Sequence, residues 1–84
     1  MSEAAKAWFV SVVVEPNDDG FLATCPAVQG ALAEGDTIEE AIFNCVDVIK
    51  MIGEYRAERG ESLGCNAVDV GPGTKLTVSV PVGV

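Results

Sequence analysis

The side chains able to do chemistry fall into two sets, carboxylates and thiols. The chain of 84 residues carries 13 Asp and Glu against five Lys and Arg, a net charge of −8, and no His at all. The carboxylates gather at Asp18-Asp19, at Glu34 and at Glu39-Glu40. Such groups do one of two things. They converge on divalent cations for phosphodiester chemistry, or they receive a basic partner. The first needs carboxylates inside strands that meet at one site. None sits in the interior of an expected strand here: Glu15 stands at a strand end beside Pro16, and Glu34 only closes the short third strand. The second needs only charge and exposure, so Asp18, Asp19, Glu34, Glu39 and Glu40 are the candidate partner-binding residues.

The thiols are Cys25, Cys45 and Cys65. No Cys-x-x-Cys clamp exists, and an odd count leaves one thiol over in any disulfide scheme. Their spacing is even, but the flanks share nothing, so the reading is small buried or half-buried thiols in a reducing compartment. Without His there is no imidazole base to activate a Ser or Cys and no imidazole metal ligand. Gly71-Pro72-Gly73 precedes a strand rather than following one, which is the wrong context for a phosphate-cradling loop. We therefore expect no catalytic residue, no cofactor and no metal. A charge of −8 on so small a body repels phosphates, so no direct nucleic-acid contact is expected either. The start, Met1 to Ala7, lacks a basic region and an apolar core, and no run is long enough to span a bilayer. The expected location is the cytoplasm.

The elements that must position these groups follow from periodicity. Residues 8–14 (Trp-Phe-Val-Ser-Val-Val-Val) are β-branched and aromatic, and read as a strand with apolar groups on both faces. Pro16 to Gly20 supply turn chemistry, and a second strand covers 20–25 until Pro26 ends its hydrogen-bonding run. A short third strand covers 30–34. Asp36 with Glu39, or Thr37 with Glu40, has capping-box spacing and opens a helix over 37–59. Its apolar stripe runs Ile38, Ala41, Ile42, Cys45, Ile49, Ile52 and Arg56, widened by Val48 and Tyr55. Gly60 is its expected stop, and Gly53 weakens its second half. Leu76, Val78, Val80 and Val82 alternate with polar residues, which predicts a last strand over 74–82.

This order, β-β-β-α-β, predicts an α+β two-layer sandwich. One helix covers one face of a mixed four-stranded sheet of order 4-1-2-3, and the whole of 1–84 is one domain. The central first strand would then leave Phe9 and Val13 on an uncovered face. A domain of this size buries only about 60–65% of its unfolded surface. We therefore expect a homodimer or higher homo-oligomer with Phe9 and Val13 at its interface.

Two segments resemble the HicB-like antitoxin family. The run from Asp18 to Gly30, Asp-Asp-Gly-Phe-Leu-Ala-Thr-Cys-Pro-Ala-Val-Gln-Gly, looks like that family's hairpin, and Gly35-Asp36-Thr37-Ile38-Glu39-Glu40-Ala41 matches its GDTxEEA helix start. The first strand, Arg59-Gly60-Glu61 and the final valine strand extend the likeness over residues 8–82. Gly20, Pro26, Gly30, Gly35, Asp36, Thr37 and Ala41 are its structural motif residues. Ala31 departs from it, since Cys or Val is frequent there. The resemblance implies a partly degraded ribonuclease H-like fold and a non-catalytic antitoxin that binds a small basic HicA-type mRNA interferase. Many members add a DNA-binding module. This sequence stops at Val84, directly after the expected last strand, so none is included in the reading. The alternative is a stand-alone homo-oligomeric scaffold or ligand-binding domain with no toxin partner.

Overall fold

The computed structural model describes residues 5–84. Residues 1–4 fall outside it, and with them part of the reading that Met1 to Ala7 is no leader. The elements in chain order are β1 (Ala5–Trp8), β2 (Val13–Asn17), β3 (Gly20–Thr24), β4 (Leu32–Gly35), α1 (Ile38–Glu58) and β5 (Ala67–Val70). The class is α+β with one helix. The strands form two small antiparallel sheets, β2-β3-β4 and β1-β5.

The meander β2-β3-β4 is the framework. Asn17 pairs with Gly20 across a two-residue turn, so the hairpin is tight. Asp18 takes the left-handed conformation the turn requires, with φ 49°, and Asp tolerates it better than most residues. Gly20 is required by space, because a Cβ there would lie 2.5 Å from the Gly35 carbonyl oxygen. Register then puts Val14, Ala23 and Ala33 side by side on one face, and Val13, Thr24 and Leu32 on the other. The helix covers the first. Its buried row is Ala41, Cys45, Ile49 and Gly53, each one turn from the last.

The core is built from small groups: Ala23, Cys25, Val28, Ala31, Ala41, Cys45, Ile49 and Leu63. Cys25, Val28 and Ala31 come from the β3-β4 connection. Its backbone closes on itself through Cys25 N–H to Ala31 O at 2.9 Å, Val28 N–H to Cys25 O at 3.0 Å and Ala31 N–H to Val28 O at 3.1 Å. Pro26 begins this turn, just after β3 ends at Thr24, as its missing donor requires. Gly30 serves it by conformation, with φ 87° and nothing near a would-be Cβ. The close backbone approach is at Gly35, where a Cβ would overlap the Ala41 backbone nitrogen.

The helix stops as Gly60 predicts. Gly60 N–H donates to Ala57 O at 3.1 Å and Glu61 N–H to Arg56 O at 2.8 Å, with Gly60 at φ 71°, which is a Schellman closure. The Arg56 guanidinium then reaches the Leu63 carbonyl at 3.3 Å and holds the returning loop, so that Leu63 plugs the core.

Three expectations are corrected. The strand over 8–14 is two strands, because the chain pairs with β5 up to Trp8 and with β3 only from Val13. The parallel strand over 74–82 does not form. Residues 74–84 have no regular pairing and are exposed, while the partner of the N-terminal strand is β5, which lies antiparallel to it. The sheets are consequently not mixed and the order 4-1-2-3 is not seen. The remaining differences, β4 at Leu32–Gly35 and α1 at Ile38–Glu58, are shifts of one or two residues.

Gly53 has a specific neighbour. A Cβ there would lie 2.6 Å from Cη2 of Trp8, so the indole rests against the bare helix backbone. Gly53→Ala gains about 1 kcal/mol of helix propensity but displaces the ring. The expected result is a red-shifted emission from the chain's single tryptophan with the helical circular dichroism retained. An unshifted spectrum would show that the ring does not pack there.

Candidate functional site

The helix starts one residue later than its first-choice cap. Thr37 is the N-cap, in extended conformation, and its Oγ1 accepts the Glu40 N–H at 3.0 Å. Glu40 reaches back past the cap, and its Oε1 accepts the Asp36 N–H at 2.7 Å. This is the Thr37/Glu40 capping box, and the Asp36/Glu39 alternative is not used. The shift matters for the site, because the Asp36 carboxylate is not spent on capping.

The meander brings its turn next to this helix start. Between them lies a cleft of about 380 Å³ lined by Asp18, Asp19, Glu34, Asp36 and Glu40, with Asn17, Gly20, Phe21 and Gly35. Four of the five candidate carboxylates therefore meet in one place, and Asp36 joins them. Glu39 does not. It borders the neighbouring apolar cleft with Phe21, Ile38 and Val82, and its Oε1 accepts the Gly83 N–H at 3.2 Å. Sequence reasoning placed Asp36 only as a cap. The signal for its other role was the second capping box one residue on.

The carboxylates differ in how firmly they are held. Glu34 accepts the Asn17 side-chain amide at 2.7 Å, and its carbonyl accepts the Asn44 amide at 2.9 Å, which ties the hairpin to β4 and the helix. Glu40 is held by the capping box. Asp18 and Asp19 accept no hydrogen bond from the described residues and stand exposed at the rim. The ion pairs among the described residues are Lys6–Asp69 at 2.6 Å and Arg59–Glu61 at 3.6 Å, both exposed and both away from the cleft. No lysine or arginine lines it, so its charge is uncompensated by the chain itself. A recess lined by one sign of charge concentrates its field outward. The helix N-terminus, with its own partial positive charge, offsets some of the repulsion among Asp36, Glu39 and Glu40.

What this arrangement can do is receive cations. Among the described residues no three His, Cys, Asp or Glu side chains are grouped to hold a metal ion. The thiols lie elsewhere. Cys25 and Cys45 are buried together in the core, and Cys65 is half-buried. Burial pushes the Cys45 thiol above its ordinary value, and the neighbouring Cys25 adds to the rise. The Cys45 Sγ points at the Ala31 carbonyl at 3.9 Å, which makes it a packing group.

Phe9 and Val13, the expected interface pair, are exposed at 46% and 49%. The break between β1 and β2 interrupts the alternation that placed them on one face. Val13 instead pairs with Thr24, which pairs in turn with Leu32, 56% exposed on the same face.

A stretch of 53 residues is 38% identical to a UPF0150 protein of Synechocystis sp., spanning 63% of this chain and 74% of that protein. No family model and no solved structure matches the chain.

Two outcomes are expected. Thr37→Ala removes the cap and lowers stability by about 1 kcal/mol, whereas Asp36→Ala costs much less; chemical denaturation of the two variants checks the order. Thiol labelling of the native protein at neutral pH modifies Cys65 first, and Cys25 and Cys45 react only on unfolding. Because the folded Cys45 keeps its proton above the ordinary thiol range, stability falls as pH rises past that range, where the unfolded thiol ionises and the folded one does not.

Proposed function

The chain belongs to the UPF0150 family, and we propose that it is a non-catalytic binding module of the HicB-like antitoxin kind, which neutralises a small basic HicA-type mRNA interferase. The observation that carries this reading is the cleft of Asp18, Asp19, Glu34, Asp36 and Glu40, which no basic side chain of the chain itself lines. A ribonuclease binds phosphates through Lys and Arg. An acidic recess presents carboxylates to the same groups and competes with RNA for them. The held residues, Glu34 and Glu40, keep the recess in shape, while Asp18 and Asp19 at its rim steer the approach. The likeness of residues 18–30 and 35–41 to the HicB-like motifs supports the same reading. So does the net charge of −8. Among the described residues no helix is long and apolar enough to cross a membrane, and an interferase partner acts in the cytoplasm, where we place the pair.

A second reading is a stand-alone homo-oligomeric scaffold. It is favoured by apolar side chains left open on the sheet and its flank, Phe9, Val13 and Leu32. The two readings differ in whether a basic protein binds the acidic end.

The test is co-purification from the native host, together with titration of any small basic protein whose reading frame adjoins that of this chain. Binding is expected to weaken as salt rises. Asp18→Lys with Asp19→Lys is expected to weaken it at least tenfold without loss of helical signal, because both residues are exposed and outside the core. Recovery of no small basic partner, or a complex indifferent to this double change, favours the scaffold.

A further inference from the structure

Residues 76–82 run Leu-Thr-Val-Ser-Val-Pro-Val, a strand pattern without a strand partner among the described residues. Leu76, Val78, Val80 and Val82 are exposed at 47%, 64%, 53% and 65%. The bonds that flank the segment fix its ends and leave its middle free. Thr74 N–H donates to Gly71 O at 3.0 Å before it, and Gly83 N–H donates to Glu39 Oε1 after it. An extended apolar run with open backbone groups is a template for pairing with another strand.

We propose that residues 76–82 pair antiparallel with the same segment of a second copy of this chain, with Ser79 on the two-fold axis. This goes beyond the antitoxin reading and holds whether or not a toxin binds. Three features of the segment select a second copy. It is nearly palindromic about Ser79. The two-fold places Val78 against Val80, Leu76 against Val82 and Ser79 against itself, the isologous contact a dimer requires.

Pro81 also fits this register. In an antiparallel ladder alternate residues direct their backbone groups to the partner. With Ser79 in a non-hydrogen-bonded pair, residues 76, 78, 80 and 82 make the ladder bonds. Residues 77, 79 and 81 face outward, so the absent N–H of Pro81 costs nothing.

Charge selects the same partner. Two bodies of −8 repel, but residues 76–84 carry no charged side chain. The register sets Lys75 of the second copy opposite Gly83, the residue whose N–H holds the Glu39 carboxylate. A cation then meets an anion at each end of the ribbon. Two strands alone are marginal. The apolar clefts supply the backing, since Pro81 already lines one with Val12, Val14, Phe21 and Ile38, and Val82 lines the other with Phe21 and Ile38.

Cross-linking tests the register. In a Cys65→Ser background, with Cys25 and Cys45 left in the core, Ser79→Cys is expected to form a disulfide-linked dimer under mild oxidation. A non-hydrogen-bonded pair brings the Cα atoms to about 4.5 Å, within disulfide range. Thr77→Cys, whose partner position is 81, is expected to stay unlinked. Light scattering of the unmodified chain is expected to give a dimer at micromolar concentration, and Val80→Lys to raise its dissociation constant at least tenfold with the helical signal unchanged. A monomer at tens of micromolar overturns the proposal. Equal cross-linking at 77 and 79, no cross-linking at 79, or a dimer indifferent to Val80→Lys does so too.

Discussion

The helix lies on the sheet only as closely as Gly35 permits. A side chain there would overlap the Ala41 backbone, and the residues on either side of the contact are correspondingly small: Ala23 and Ala33 from the strands, Ala31 from the β3-β4 connection, Ala41 and Cys45 from the helix. Backbone-to-backbone contact of this kind fixes two elements more rigidly than interdigitated long side chains, because no rotamer can relax it. Everything at the acidic end inherits its position from that seat. The chain leaves β4 at Gly35, turns through Asp36 and caps at Thr37, so Glu40 returns over the junction. The hairpin tip, fixed by Gly20 against the Gly35 carbonyl, closes the other side. The five carboxylates converge because two glycines allow three backbones to meet.

This seat explains why some features were legible in the sequence and others were not. Turn chemistry is local, so the hairpin at Asp18 to Gly20 and the Gly60 stop read directly. Helix periodicity is local as well, and Ala41, Cys45 and Ile49 were the right row. The cap was ambiguous because two boxes lie one residue apart, and the choice is made by tertiary contact rather than by propensity. Gly30 and Gly35 look alike in sequence, yet one serves conformation and the other space. Periodicity places Tyr55 beside the buried stripe, but it is 59% exposed with Arg59 over its ring at 5.4 Å. Gly53, read as a weakness, is where Trp8 packs.

The strands show the limit of the same method. Alternation identifies residues able to be a strand, but a strand exists only with a partner, and the partner is not in the pattern. Of residues 8–14, Trp8 pairs with β5, Val13 and Val14 pair with β3, and residues 9–12 belong to no strand. Residues 74–82 carry the clearest alternation in the chain and have none. The site was legible to the extent that it depended on composition: four of five carboxylates were chosen because acidic residues cluster around turns and helix starts. Glu39 borders a different cleft, because its neighbour Glu40 takes the reach-back role and the two first-turn carboxylates turn apart.

The distribution of charge and apolar surface also constrains how such a chain meets other molecules. Among the described residues no aromatic side chain is fully buried in the core, and the largest fully buried side chains are Val28 and Cys45. Most of the apolar content therefore lies at or near the surface, where hydrophobic burial on association remains to be gained. Association between equal copies works against their common charge, and that opposition is weakest where neither surface is ionised. The carboxylates are concentrated on the hairpin, the helix start and the outer helix, whereas residues 76–84 have none. An oppositely charged partner and an identical one are thus drawn to different parts of the same molecule, the first to the acidic cleft and the second to the uncharged segment. The cleft at Glu40 and the pairing at Ser79 do not compete for residues, although Glu39 touches both regions through Gly83. A chain bound to itself at one end keeps its acidic end open for something else.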